Sequence, residues 1–487
     1  MAFNSLHYFL FLPVVYLVYY FAGERARWWV LLAASLIFYA ALDVPYLLAV
    51  LALVALTTYS FGIWIDHADS SGAKRAFLWS GIAANVLTLV VMKYLPFLSE
   101  NLNSLLKLFG TEVQPVTALV AIGVSYYVFQ AVSYLINIYL EIQKPEPHLG
   151  YFALYLAFFP KLLQGPIERG EDSISQFKQK YEFDYDNMRS GMLLFACGLF
   201  KKVVVADRLG LFVDTVYGDV HAFAGLPLLL ATYAYAFQIY MDFSGYTDMA
   251  LGSALLFNIK LTQNFSGPYL ATSVADFWRR WHISFSTWIL DYVFKPLQMQ
   301  WRDWKTWGTA AALMVAFLVS GIWHGASWGF VIWGGLHGFY MTFSAFYRPY
   351  QKKIHKALGI DKTWLQRALQ IFCTFNLVSL AWIFFRAGSL GDAWYVLNSM
   401  LDFSSSYASF QSIGTENYIK SNIFMGLPAH EFITATVFLG IIFILRNRQR
   451  ETVFKYSIMN RWLIYYTVLI ATWFFHVSNT QFLYFKF

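Results

Sequence analysis

The chain has 487 residues, of which 58% are hydrophobic, 20% aromatic and only 13% charged, with a formal net charge of +7 and a mean hydropathy of +0.49. A soluble domain carries about 25% charged residues, so this composition excludes an ordinary soluble protein. The modest positive charge sits mostly in loops and suits an anionic inner leaflet, or an anionic substrate, better than nucleic acid.

Apolar runs of about 20 residues, each long enough to cross a bilayer, recur from one end of the chain to the other. They are continuous, whereas the strands of a membrane β-barrel alternate apolar and polar residues. The class read from this pattern is an all-α polytopic membrane protein. The first run, "SLHYFLFLPVVYLVYYFA" (5–22), lacks a basic leader, and no small-residue cleavage site precedes "GERAR". It reads as a retained helix rather than a signal peptide. Further spans are predicted near 28–42, 44–65, 76–98 and 115–140, then 188–207, 225–245, 308–323, 326–346, 366–386, 430–445 and 462–479. With shorter interrupted pieces they amount to about eleven full crossings plus re-entrant or surface helices. No repeat or linker divides the chain, so 1–487 is read as one integral domain.

Two segments break the pattern. In "FFPKLLQGPIERG" (158–170), Pro160, Gly165 and Pro166 disfavour a continuous helix. "SVADFWRRWHISFSTWILDYVFKPL" (273–297) opens on Ser273, a helix N-cap residue, and is too polar at its start to span. It reads as an amphipathic helix lying at or dipping into the membrane, with its tryptophans at the interface. Irregular backbone at membrane depth is tolerated only where protein or a water-filled cavity surrounds it, so the chain is expected to enclose a funnel.

The basic loops 348–367 and 446–461 belong on the cytoplasmic side by the positive-inside rule. The "GERAR" turn and Lys74/Arg75 agree with that polarity and put the N-terminus outside. The 389–430 loop, with Asp392, Asp402 and Glu416 against Lys420, then falls outside, as does "QFLYFKF" at the end of the last helix. Cys197 and Cys373 lie far apart in apolar segments and form neither a metal pattern nor a disulfide framework.

The chemistry-bearing candidates are few. His324, in "GIWHGASWGF" (321–330), places an imidazole between Gly321 and Gly325 in an apolar stretch. It is either a structural histidine bonded to a neighbouring helix or a functional one, and a neutral imidazole is a natural general base for a hydroxyl. The two glycines let a backbone or a substrate approach closely. His282, in "RRWHISFSTW", follows Trp278, Arg279 and Arg280. These arginines either snorkel to phosphate headgroups or bind an acyl donor. No carboxylate or cysteine stands at metal-ligand spacing from either histidine, so no metal is expected. His337 reads as a packing or hydrogen-bonding residue. Tyr484, in "FLYFKF", is either an aromatic-belt residue or a phenol able to carry an acyl group once a base activates it.

These residues fall in an ordered set of blocks: "GVSYYVFQAVSYLINIY" (123–139), "FFPKLLQGPI" (158–167), "GLFKKVVVADRL" (198–209), "YMDFSGYTDMALG" (240–252), 264–297 and "GIWHGASWGFVIWGGLHG" (321–338). Together they resemble the membrane-bound O-acyltransferase (MBOAT) family, in its bacterial branch that modifies extracytoplasmic polysaccharides such as alginate. The resemblance implies a ring of tilted helices around a central tunnel, with catalytic roles at His324 and His282. It implies an acetyl group taken from cytosolic acetyl-CoA, a substrate rather than a bound cofactor, with Trp278, Arg279 and Arg280 toward the donor funnel. Phe482, Tyr484 and Phe487 match the branch's terminal F-x-Y-x-x-F motif, in which the tyrosine is acyl acceptor and relay. The implied setting is a bacterial inner membrane, and the implied partner an extracytoplasmic SGNH-hydrolase-like subunit that meets the polysaccharide. Alginate, cellulose and peptidoglycan all fit as acceptor. A D-alanyl transferase acting on teichoic acid from a carrier protein, a lipid acyltransferase and a non-catalytic acyl or glycan transporter are the competing readings.

Overall fold

The computed structural model describes all residues except 115, 181, 358, 360–362, 427, 446–457, 475–481 and 484–487. Every regular element among the described residues is helical. The chain separates into two compact units, one of residues 1–195 with 246–263 and one of 196–245 with 264–487.

The first unit runs through α1 (Leu6–Phe21), α2 (Arg27–Ala40), α3 (Tyr46–His67), α4 (Ser71–Leu89), a π-helical turn at Val90–Tyr94, and α5 (Leu95–Lys107). There follow α6 (Val124–Tyr139), α7 (Leu149–Ala157), α8 (Phe159–Leu162), α9 (Gly170–Lys178) and the start of α10 (Tyr185–Phe200). The span expected over 115–140 is helical only from Val124, because Gly123 takes a left-handed conformation (φ 81°) that ends the approach. Helices α3, α4 and α6 meet through small residues. A Cβ on Gly81 would stand 2.8 Å from Leu135 Cδ1, and Asn85 Nδ2 donates to Thr58 Oγ1 (3.1 Å) and Gly81 O (2.8 Å). Such small-residue faces with interhelical hydrogen bonds hold helices together where lipid removes the hydrophobic drive. The break expected in 158–170 is present between α7 and α8, where the free Phe159 N–H finds the Ser35 hydroxyl at 3.0 Å. The buried Lys161 donates to Gln130 Oε1 and lies 4.3 Å from the Tyr155 ring centroid.

The second unit takes the end of α10, a π-helical turn at Lys201–Ala206, α11 (Asp207–Gly218) and most of α12 (Leu226–Leu255). It continues with α13 (Val274–Trp278), α14 (Ile283–Ile289), a π-helical turn at Leu290–Phe294 and α15 (Lys295–Gln300). The helices α16 (Thr306–His324), α17 (Trp328–Ala357) and α18 (Trp364–Arg386) carry the core onward. After them come α19 (Leu390–Ser399), α20 (Phe403–Ile413), α21 (Thr415–Tyr418), α22 (Ala429–Leu445) and α23 (Ile458–Phe474). The 389–430 segment, expected as a loop, is therefore largely helical. Asp402 caps α20 through Ser405 N–H, and hydrogen bonds from the Ser404 and Ser405 hydroxyls hold its carboxyl down at about 2. The basic stretch at 348–367 is likewise not all loop, since α17 runs on to Ala357.

Helices α16 and α17 form a hairpin whose contact face is glycine. A Cβ on Gly321 would meet Phe330 O at 2.4 Å and Gly334 Cα at 3.1 Å, and one on Gly334 would meet Phe317 O at 2.4 Å. Backbone cannot yield as a side chain can, so Gly321→Ala is expected to destabilise the protein by about 1–3 kcal/mol through overpacking. A melting temperature in detergent equal to that of the unaltered protein would show that the hairpin does not close here.

Among the described residues, four helical stretches are long and apolar enough to cross a membrane: Tyr46–His67, Ser71–Lys107, Thr306–His324 and Trp364–Arg386. Leu6–Phe21, Ala429–Ile442 and Tyr465–Phe474 are shorter apolar helices.

Candidate active site

The segment expected as one amphipathic helix over 273–297 is broken in two at His282. Ser273 does cap α13, its hydroxyl accepting from Asp276 N–H at 3.1 Å. His282, however, has φ 43° and occupies the N-cap position of α14. A left-handed residue cannot continue a right-handed helix, so the imidazole sits at a corner rather than on a helix face. The corner is held from outside. Asn264 O accepts from Ile283 N–H (3.0 Å), Asn264 Oδ1 accepts from Ser284 N–H (3.1 Å) and Ser284 Oγ (2.7 Å), and Arg280 O accepts from Ser266 N–H (3.0 Å). The tryptophans of the segment, expected at the interface, are packed within the protein: Trp278, Trp281 and Trp288 are all buried.

His324 closes the C-terminal end of α16. Its ring lies 4.5 Å from Trp323, 4.9 Å from Trp333, 5.2 Å from Phe385 and 5.8 Å from Phe285. His282 lies 5.1 Å from the same Phe285 and 5.7 Å from the same Trp323. Two histidines more than 40 positions apart in sequence thus share one indole and one phenyl ring between them. The funnel expected to open onto His324 is closed at this point, since the residue is 4% exposed. The four rings around it exclude solvent, and the space that Gly325 leaves is taken by the Phe330 ring, whose Cε2 a Cβ there would meet at 2.0 Å. Gly321 and Gly325 serve helix packing and ring packing in this conformation.

The family model for membrane-bound O-acyltransferases, MBOAT, matches residues 34–386, which include both histidines. The chain belongs to the membrane-bound O-acyltransferase family. A peptidoglycan O-acetyltransferase of Helicobacter pylori is 33% identical over 487 aligned residues, covering 91% of this chain and 89% of that one. A probable alginate O-acetylase AlgI of Pseudomonas aeruginosa is 35% identical over 405 residues, covering 82% and 75%. A teichoic acid D-alanyltransferase of Bacillus subtilis is 27% identical over 325 residues, covering 64% and 78%. This MBOAT chain is a membrane O-acyltransferase.

The other candidate residues fall in different surroundings. Trp278 is buried and donates through Nε1 to His337 Nδ1 at 3.2 Å. That bond fixes the His337 tautomer with its proton on Nε2, which has no partner among the described residues, nor does Trp333 Nε1. Arg279 and Arg280 instead reach Asp276 Oδ1, at 3.5 and 3.0 Å. Partial burial pushes the Asp276 carboxyl up, but hydrogen bonds from Arg280 and Thr272 N–H outweigh it and leave the group below its ordinary value. Tyr484 and Phe487 lie outside the described residues, whereas Phe482 is described and buried. No three His, Cys, Asp or Glu side chains converge as a metal site among the described residues. A hollow of about 690 Å³ lies in the first unit, lined by polar residues such as Gln176, Lys180, Asp184 and Lys260. None of the candidate residues lines it.

Asn264 is the positioning residue that sequence reasoning missed. Its signal was the polar start of "NFSGPY" directly before the histidine segment, which reads as a loop until its hydrogen bonds to 283 and 284 are seen.

Proposed function

We propose that the enzyme takes an acetyl group from cytosolic acetyl-CoA, loads it on Tyr484 and passes it to an extracytoplasmic partner that O-acetylates a polysaccharide. The observation that carries this reading is the shared aromatic wall of His282 and His324, which holds two imidazoles against the same indole and phenyl rings. The printed activities of the Helicobacter and Pseudomonas relatives support acetyl transfer to a polymer. In this reading the chain forms a ring of about eleven crossings of the bacterial inner membrane, with both termini outside.

The step balances on named groups. His324 accepts the Tyr484 hydroxyl proton as the phenolic oxygen attacks the thioester carbonyl. The carbon–sulfur bond breaks, and the leaving CoA thiolate takes the proton back from the imidazolium. His282 orients or polarises the carbonyl, and the buried N–H groups of Trp333 and His337 are donors available to the developing oxyanion. Trp278 walls the donor side, while Arg279 and Arg280 offer charge to the donor phosphates in competition with Asp276. Because His324 is enclosed, substrate entry requires the rings around it to part, a gating step that can limit turnover.

The test is acyl loading. After incubation with isotope-labelled acetyl-CoA, mass spectrometry of the peptide containing Tyr484 is expected to show one acetyl group. An unlabelled tyrosine in a complex that still acetylates polymer overturns the relay. Loading from a D-alanyl carrier protein in preference to acetyl-CoA would assign the chain to the teichoic-acid reaction instead.

A further inference from the structure

Among the charged residues buried in the second unit, Lys202, Asp207 and Asp242 converge away from the histidines' own contacts. Lys202, in the π-helical turn before α11, places Nζ 2.7 Å from Asp207 Oδ1 and 2.7 Å from Asp242 Oδ1. Two carboxylates thus converge on one ammonium, in surroundings where a charge must be met by ion pairs and hydrogen bonds. The second Asp242 oxygen, Oδ2, accepts the backbone N–H of Leu483 at 3.0 Å. The Lys202 ammonium stands 4.6 Å from the centroid of the Phe482 ring. Phe482 is 0% and Leu483 5% exposed, and Leu483 packs into the same apolar cluster as Trp278, Trp281 and Trp333.

We propose that Lys202, Asp207 and Asp242 form a seat for the Phe482–Leu483 segment and so position Tyr484, the next residue in the chain. The seat has two selective features. The carboxylate takes a main-chain N–H, which fixes the segment's register without regard to side chain. The ammonium takes the face of a ring, which selects an aromatic residue at 482. The seat is also tied to the catalytic wall: Phe243, the residue after Asp242 on α12, packs edge-on against His282 with centroids 4.7 Å apart. Asp242 and Lys202 are positioning residues in this scheme, acting through the segment they hold. The role of Tyr484 rests on the relay reading above, whereas the seat itself does not.

The test uses the full chain in a Cys197→Ser, Cys373→Ser background carrying Leu483→Cys. Buried in its seat, the cysteine is expected to react slowly with a maleimide. Phe482→Leu, which keeps an apolar side chain but removes the ring face, is expected to raise that rate at least tenfold, and Phe482→Trp to restore it. Asp242→Leu is expected to raise the rate similarly. It leaves Lys202 its other carboxylate partner, Asp207 at 2.7 Å, so the ammonium keeps an ion pair. In the chain with native Leu483, Phe482→Leu should lower Tyr484 acetylation at least tenfold with the KM for acetyl-CoA unchanged, and Phe482→Trp should recover it. Maleimide rates unaffected by Phe482→Leu and Asp242→Leu overturn the seat whatever acylation shows. An unlabelled wild-type Tyr484 overturns the relay and leaves the maleimide rates to decide the seat.

Discussion

His324→Ala is expected to abolish acyl transfer to polymer while the protein remains in the membrane at its usual level. The imidazole is walled by Phe285, Trp323, Trp333 and Phe385, and these rings keep one another's company when it is removed. The loss is therefore one of chemistry before it is one of structure. General-base assistance alone contributes about 10²–10⁴-fold, and the alignment of thioester and hydroxyl in a dry site adds to that loss if the base also orients the acceptor. His324→Gln, which keeps volume and hydrogen bonding but has no basic nitrogen, should be equally inactive. The measurement is acetyl transfer from labelled acetyl-CoA by membranes holding equal amounts of each variant. Either variant working within tenfold of the wild type removes His324 from the base role.

The second large effect is on stability. Lys202→Met takes away the cation that Asp207 and Asp242 share, and removing one partner of a buried ion pair costs about 3–5 kcal/mol. Against a net folding stability of about 5–15 kcal/mol this is a large fraction. The expected result is a strongly lowered melting temperature in detergent and little monodisperse protein. Asp242→Leu should be milder, because Lys202 keeps Asp207 as an ion-pair partner. Equal damage from the two substitutions would mean that charge balance does not hold this part of the second unit together.

Much of the site was legible along the chain because its residues break local rules. Ser273 announced a helix start and does cap α13. Pro160 and Gly165 announced a break, and the chain breaks there. His324 stood out as an imidazole in a run of hydrocarbon. The nature of the His282 corner was not legible, since nothing in "RRWHISFSTW" forces φ 43° at the histidine. The cause lies elsewhere in the chain, where Asn264 takes the N–H groups that a continuous helix would have used internally. The acidic stretch of 389–430 likewise looked like loop by its charge. Its polar residues instead serve as caps and hydrogen-bond partners of short helices, as Asp402 does for α20.

By itself the sequence determined the helical membrane class, the enzyme family and the two histidines to examine, because composition, run length and motif order are properties of the chain. Only the tertiary structure decided that His282 and His324 share one aromatic wall, that the wall is shut, and that Lys202 and Asp242 grip the Phe482–Leu483 segment. Those are meetings between residues up to 280 positions apart, as for Lys202 and Phe482. What brings such residues together is packing and charge balance in three dimensions, which spacing along the chain does not encode.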